Sequence, residues 1–70
     1  MNIPHEDLSI TVYSVGPKEM RAALSPTGVR IEHLPTQTIA VCQSHRSQHK
    51  NRNTAMEMIE YALAELNYTY

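Results

Sequence analysis

The feature that most restricts the fold is an apolar stripe in the last third of the chain. Apolar residues recur there every three or four positions, the spacing that places side chains on one face of an α-helix. The stripe consists of Ala55, Ile59, Ala62, Leu63 and Leu66, with Met58 beside it. Ser44 or Ser47 is placed to cap the start of this helix. A helix that is apolar on one side only must be covered by another layer of structure, which the rest of the chain has to supply.

Alternating polarity in three earlier segments predicts that this layer is a β-sheet. The predicted strands are Leu8–Tyr13, Val29–Leu34 and Thr38–Gln43. In the first strand Leu8, Ile10 and Val12 share one face, which is typical of a half-buried strand. In the second strand Val29 and Ile31 share one face. The last two strands are close enough in sequence to form an antiparallel hairpin through residues 34–37, in which Pro35 suits the second turn position.

The connection between the first two strands predicts a short helix. Pro17 suits a first helical position, and good helix formers follow it, so two turns are expected with Met20, Ala23 and Leu24 pointing inward. Residues 67–70 are expected to fray. The predicted fold is therefore a single α+β domain over residues 1–70, with two layers in the order β-α-β-β-α, in which a long C-terminal helix covers a three-stranded sheet.

Composition excludes several classes of protein. With one cysteine, Cys42, the chain cannot form an internal disulfide, which fits a reducing compartment. The first residues do not form a signal peptide, and no apolar run approaches the roughly 20 residues needed to cross a bilayer. A cytoplasmic protein without a membrane partner is expected. The formal net charge of −1 argues against general nucleic-acid binding and allows only a local basic patch.

Such a patch is present at residues 45–53, where the long helix begins. Five of these nine residues are basic: His45, Arg46, His49, Lys50 and Arg52. Cations at a helix N-terminus are unfavourable by roughly 0.3–1 kcal/mol each, and residues that break a local rule often serve a site. Helix spacing directs Arg46, Lys50 and Asn53 outward, whereas Gln48 and Asn51 are expected to bond loop or strand backbone. The patch favours phosphate binding, and the alternative is an ordinary solvated helix end.

Several short motifs together resemble one known family. The chain reads Val29-Arg30-Ile31, then His33-Leu34-Pro35-Thr36, then Arg46-Ser47-Gln48-His49-Lys50-Asn51, then Ala55-Met56. These motifs closely resemble the catalytic domain of bacterial class I peptide chain release factors, which is also the body of the ribosome-rescue peptidyl-tRNA hydrolases. The resemblance covers about residues 7–66 and implies the same order of strands and helices. It also implies ribosomes or ribosomal RNA as partners.

The chain departs from that family at its catalytic loop. The family carries Gly-Gly-Gln between the first two strands, where the Gln backbone amide helps to stabilise the oxyanion of the ester being hydrolysed. Here the only glycines are Gly16 and Gly28, and the segment between the strands contains no Gln. The resemblance therefore implies no catalytic residue in this chain. Gln37 replaces a Gly that usually follows Pro-Thr, and neither the codon-reading domains nor the basic tail of family members is expected here.

Other chemistry is less favoured by the pattern. His45 and His49 have the spacing of two metal ligands, but no motif identifies His33, His5 or Cys42 as a third, so neither a metal nor a cofactor is expected. Cys42 is expected to be a core residue rather than a nucleophile. The remaining candidates are not expected to bind ligands. Met20, Met56 and Met58 are expected to fill the core, and Tyr61, Tyr68 and Tyr70 are expected to pack or fray.

The leading hypothesis is a non-hydrolytic relative of the release-factor domain that binds RNA or the ribosome. Its candidate binding residues are Arg30, Arg46, Gln48, His49, Lys50 and Arg52. One alternative is an active peptidyl-tRNA hydrolase that uses a variant loop around residues 16–20. Another is a protein-interaction module, with a protein partner or a homodimer and a residual RNA patch.

Overall fold

The computed structural model describes residues 2–70, apart from the side chains of residues 21–23. The strands are β1 (Leu8–Ser14), β2 (Pro26–His33) and β3 (Thr38–Cys42), and the long helix is α1 (Gln48–Glu65). Short 3₁₀ helices cover His5–Asp7 and Lys18–Ala23. The α+β architecture predicted from the sequence is confirmed, with a 3₁₀ helix in place of the expected α-helix between β1 and β2.

The sheet is antiparallel with the spatial order β1-β2-β3. Ile10 faces Ile31 and Val12 faces Val29 across β1 and β2, while Ile31 faces Ala40 across β2 and β3. The predicted hairpin turn occupies residues 34–37. Gln37 takes a φ of +58° in this turn, a left-handed conformation that glycine adopts more readily than residues with a Cβ. The conformation explains why a glycine suits this position.

The core lies between α1 and the strands β2 and β3. Its buried apolar residues are Val29, Ile31, Ala40, Cys42, Ala55, Ile59 and Leu63. The predicted stripe is confirmed for Ala55, Ile59 and Leu63, which are all fully buried. It is wrong for Leu66, which is 59% exposed because the helix has already ended there. Met56, on the other flank of the helix from Met58, packs against the core instead of Met58.

Strand β1 is more exposed than its pattern suggests. Ile10 and Val12 lie on the face of the sheet that α1 covers, yet they are 37% and 43% exposed. A helix is about 10–12 Å wide and strands lie about 4.8 Å apart, so one helix covers two strands well and a third poorly. Because α1 packs on β2 and β3, the inward face of β1 remains partly open.

The last four residues fold back instead of fraying as expected. The Tyr68 amide donates to the Leu63 carbonyl at 2.9 Å, and Tyr68 packs against the core. The Tyr70 hydroxyl donates to Asp7 Oδ2 at 2.8 Å and also contacts Nε2 of the fully buried His33. These contacts join the end of the chain to the start of β1 and the end of β2.

Candidate nucleic-acid interface

Three segments meet at one end of the sheet, which we call the loop end. They are the β1–β2 loop (residues 15–25), the β3–α1 connection (residues 43–47) and the start of α1. Gln48 Nε2 donates to the Pro26 carbonyl at 2.8 Å, which ties the helix start to β2. The Tyr13 hydroxyl donates to Gln43 Oε1 at 2.9 Å, which ties β1 to the connection. The β1–β2 loop corresponds to the segment that carries Gly-Gly-Gln in the family that the sequence resembles. This loop therefore lies at the same end of the sheet as the basic helix start.

Asn51 holds the connection in place from inside the fold. Its side chain is fully buried. Asn51 Nδ2 donates to the carbonyls of Thr27 at 2.6 Å and His45 at 2.9 Å, and Oδ1 accepts from the His45 amide at 2.9 Å. The Cys42 thiol also donates to Oδ1, at 3.3 Å. The expectation that Gln48 and Asn51 bond backbone is confirmed, and Asn51 fixes the segment that carries Arg46.

The helix start presents its basic residues to solvent. Ser47 caps α1 by accepting from the Lys50 amide at 3.3 Å, which decides between the two predicted caps, and the first turn contains no acidic residue. Arg46, His49, Lys50 and Arg52 are all exposed. Within residues 2–70, no carboxylate lies within ion-pair distance of these side chains. Their positive charge is therefore available to a partner.

The structure separates Arg30 from the other candidates. Arg30 projects from the face of the sheet opposite α1, because its neighbours Val29 and Ile31 are buried under the helix. Its guanidinium lies 3.7 Å from the Glu32 carboxylate, and both side chains are partly exposed. The sequence pattern could not show this separation, since it places Arg30 on a strand without saying which face meets the helix. Among the binding residues predicted from the sequence, Arg30 is therefore the one that lies apart from the helix start.

The β1–β2 loop is anchored at its base. Ser14 Oγ donates to the Leu24 carbonyl at 3.2 Å. Gly16 has a φ of +137°, and a Cβ at this position would lie 2.7 Å from Leu24 Cδ1, so only glycine fits here without strain. Met20 is 56% exposed, so the prediction that it points inward is wrong. The inward placement predicted for Ala23 concerns a side chain outside the described part of the structure.

An open hollow of about 530 Å³ lies at the base of this loop. Its lining residues are Tyr13, Ser14, Val15, Gly16 and Gln43. Sequence reasoning missed Tyr13 and Gln43 as site residues, because their meeting depends on the pairing of β1 with β2 and of β2 with β3. The hollow combines an aromatic ring with amide and hydroxyl groups at the loop end of the sheet.

The structure gives no support to the other chemistry considered from the sequence. Cys42 is buried as expected, and hydrogen bonds to Ser44 lower the pKa of its thiol. In the described part of the chain, no three His, Cys, Asp or Glu side chains converge as metal ligands. None of the described helices is both long and apolar enough to cross a membrane.

Comparison with known proteins shows one family. The model of the RF-1 domain matches residues 1–70. Peptide chain release factor 1 of Magnetococcus marinus is 39% identical over 66 residues, which are 93% of this chain and 18% of that protein. Peptide chain release factor 2 of Campylobacter concisus is 40% identical over 67 residues, which are 94% of this chain and 18% of that protein.

A solved structure agrees with this match. The structure of RF2 of Thermus thermophilus superposes with a TM-score of 0.82 at 34% identity, over 96% of this chain and 19% of that one. The chain thus spans about a fifth of the length of these relatives. The resemblance drawn from the sequence motifs is confirmed: the chain belongs to the RF-1 domain family of peptide chain release factors.

Proposed function

We propose that this protein acts in or around translation termination as a domain that binds ribosomal RNA through its loop end and does not hydrolyse peptidyl-tRNA. The observation that carries this proposal is the exposed and unpaired basic helix start beside the β1–β2 loop. The relatives are named as peptide chain release factors. The part of those relatives that this chain matches is the part that carries the loop and the helix start.

Charge is distributed along the molecule in a way that supports phosphate binding at the loop end. Residues 15–25 and 43–53 contain five of the six lysines and arginines and only one of the seven acidic residues. The rest of the chain holds one arginine and six acidic residues. Although the net charge of the chain is only −1, its loop end is therefore positive and the rest of the chain is negative. Such a field attracts a polyanion to one end and turns the other end away from it.

The contact set that we propose is Arg46, Gln48, His49, Lys50 and Arg52. Arg46, Lys50 and Arg52 would neutralise phosphates, and His49 would donate hydrogen bonds to them. Gln48 retains an exposed amide, although one of its hydrogens is used by Pro26. The free amides of the first turn of α1 add to the same positive field.

The β1–β2 loop argues for binding without hydrolysis. It has no pair of glycines and no glutamine, and an oxyanion site needs a backbone donor held in a defined geometry. Pro17 removes one backbone N–H from the loop. We propose that the loop occupies space beside the bound RNA, so that the domain competes with an active factor or regulates it.

Co-sedimentation with ribosomes at increasing salt concentrations tests the proposed binding. The double variant Arg46→Ala/Lys50→Ala should bind at least about tenfold more weakly. The slope of its log binding constant against log salt concentration should fall by the equivalent of about one to two phosphate contacts. The matched control is Arg30→Ala, which removes one cation from the opposite face and should leave binding unchanged. Absence of co-sedimentation, or equal losses in the double variant and the control, would contradict the proposal.

One observation favours a second candidate function, an active hydrolase with a variant loop. Gly16 holds a φ of +137° at the base of the loop, a conformation that glycine adopts far more readily than residues with a Cβ. Release of peptide from peptidyl-tRNA on purified ribosomes decides between the two functions. Release by the wild-type chain would establish the hydrolase and overturn the non-hydrolytic proposal, whereas binding without release supports our proposal.

A further inference from the structure

The hydrogen bonds of the sheet show which backbone groups of β1 are free. The Leu34 amide donates to the Asp7 carbonyl at 2.8 Å, which identifies their pair as a hydrogen-bonded one. In an antiparallel ladder such pairs alternate along the strand. From the register of β1 with β2, the backbone amides and carbonyls of Ser9, Thr11 and Tyr13 therefore point toward β2. The amides and carbonyls of Ile10 and Val12 point away from the sheet, along its open edge.

The same two residues carry partly uncovered apolar side chains. Ile10 and Val12 are 37% and 43% exposed on the face that α1 leaves open beside β2. Strand β1 contains no charged residue and no proline along its seven residues. Proteins ordinarily protect an edge strand with a charged residue or a proline, and an unprotected apolar edge favours pairing with another strand.

Charge identifies the strand that fits this edge. Strand β1 begins beside Glu6 and Asp7 and ends at the positive loop end. Helix α1 repeats this polarity, because it starts among basic residues at the loop end and carries its three glutamates in the half that points away from it. A second copy lying antiparallel places the negative end of each molecule beside the positive end of the other. A parallel arrangement would place like charges together.

We infer that β1 is a self-association edge, and that two copies of this chain pair β1 with β1 in antiparallel orientation to form a six-stranded sheet. A twofold axis near Thr11 brings Ile10 and Val12 of each copy against those of the other, in the symmetric manner of an isologous interface. The inference does not depend on the proposed RNA binding. A contact built on one strand is small, so the dimer belongs to the weak, concentration-dependent class.

The opposite edge of the sheet fits this role less well. Strand β3 has five residues, two fewer than β1. Its exposed apolar residues, Ile39 and Val41, lie on the bare outer face, whereas its inward residues are already buried by α1. A strand added to β3 would therefore find no partly open apolar space beneath the helix. This difference makes β3 the control for a test of β1.

Sedimentation equilibrium of the full chain between about 10 μM and 1 mM tests the inference. The wild type should shift from monomer to dimer over this range. Val12→Lys should raise the dissociation constant at least about tenfold, because it adds a charge to the edge. Val41→Lys makes the same change at an equally exposed position of β3 and should leave the dimer intact. A wild type that stays monomeric at 1 mM, or a dimer lost with Val41→Lys and kept with Val12→Lys, would overturn the inference.

Amide hydrogen exchange on the wild type gives a second measurement, which does not depend on any variant folding. At low concentration the amides of Ser9 and Thr11 should be protected, because they form hydrogen bonds with β2. The amides of Ile10 and Val12 have no such bond in the monomer and should exchange rapidly. At high concentration protection should extend to Ile10 and Val12. Exchange at these two amides that is independent of concentration would count against pairing through β1 even if a dimer formed.

Discussion

Replacing Asn51 by alanine should destabilise the domain more than any surface change at the loop end. The side chain is fully buried and makes three hydrogen bonds to backbone, two to His45 and one to Thr27. Alanine would leave these partly buried backbone groups without the amide that pairs them. The Cys42 thiol would lose its acceptor as well.

The size of the effect follows from these bonds. Each contributes about 0.5–1.5 kcal/mol net, so the loss should be about 3 kcal/mol. A domain of this length is stable by about 4–10 kcal/mol, so roughly a third or more of the free energy of unfolding depends on one side chain. The midpoint of thermal unfolding should fall by about 12–24 °C.

Urea and thermal denaturation followed by circular dichroism measure this loss. Asn53→Ala is the matched control, since Asn53 is exposed on the same helix, and it should change the stability by less than about 0.5 kcal/mol. Asn51→Asp should be at least as harmful as alanine, because it sets a carboxylate oxygen against the carbonyls of Thr27 and His45. A loss below about 1 kcal/mol for Asn51→Ala would refute the reasoning.

Two further predictions concern close contacts elsewhere in the fold. A Cβ at Gly28 would overlap the Tyr13 ring, so Gly28→Ala should cost about 1–3 kcal/mol in urea denaturation; unchanged stability would contradict that packing. Desolvation of its hydroxyl and the hydrogen bond to Asp7 raise the pKa of Tyr70 above its ordinary value near 10. The neutral phenol therefore stabilises the fold fully below about pH 10 and less as the pH rises further. The stability difference between the wild type and Tyr70→Phe should shrink above that pH, and a constant difference would contradict this.

The sequence predicted those parts of the fold that depend on local periodicity. Ala55, Ile59 and Leu63 repeat every four residues, and Val29 and Ile31 alternate with polar neighbours, so each pattern identifies the buried face of its own element. The order of elements follows from the same patterns. The location of the basic residues at the helix start was also readable, because Ser47 and the apolar stripe fix where the helix begins.

The rest depends on distances between elements that no local pattern records. The exposure of Ile10 follows from the width of one helix over three strands. The docking of Tyr70 depends on Asp7, which is 63 residues away in sequence. Charge alone groups Arg30 with the helix start, although Arg30 lies on the face of the sheet opposite α1. Met20 has the spacing of a buried helical residue, but its short 3₁₀ helix has no layer against which to bury it.

The contact between Tyr70 and Asp7 has a practical consequence for how this molecule is handled. It holds Tyr70 beside Asp7 at the pole opposite the loop end. A linker attached after Tyr70 would therefore leave from the acidic pole. A sensor chip that captures the protein through such a linker would hold every molecule in one orientation, with its cationic pole facing the flowing analyte.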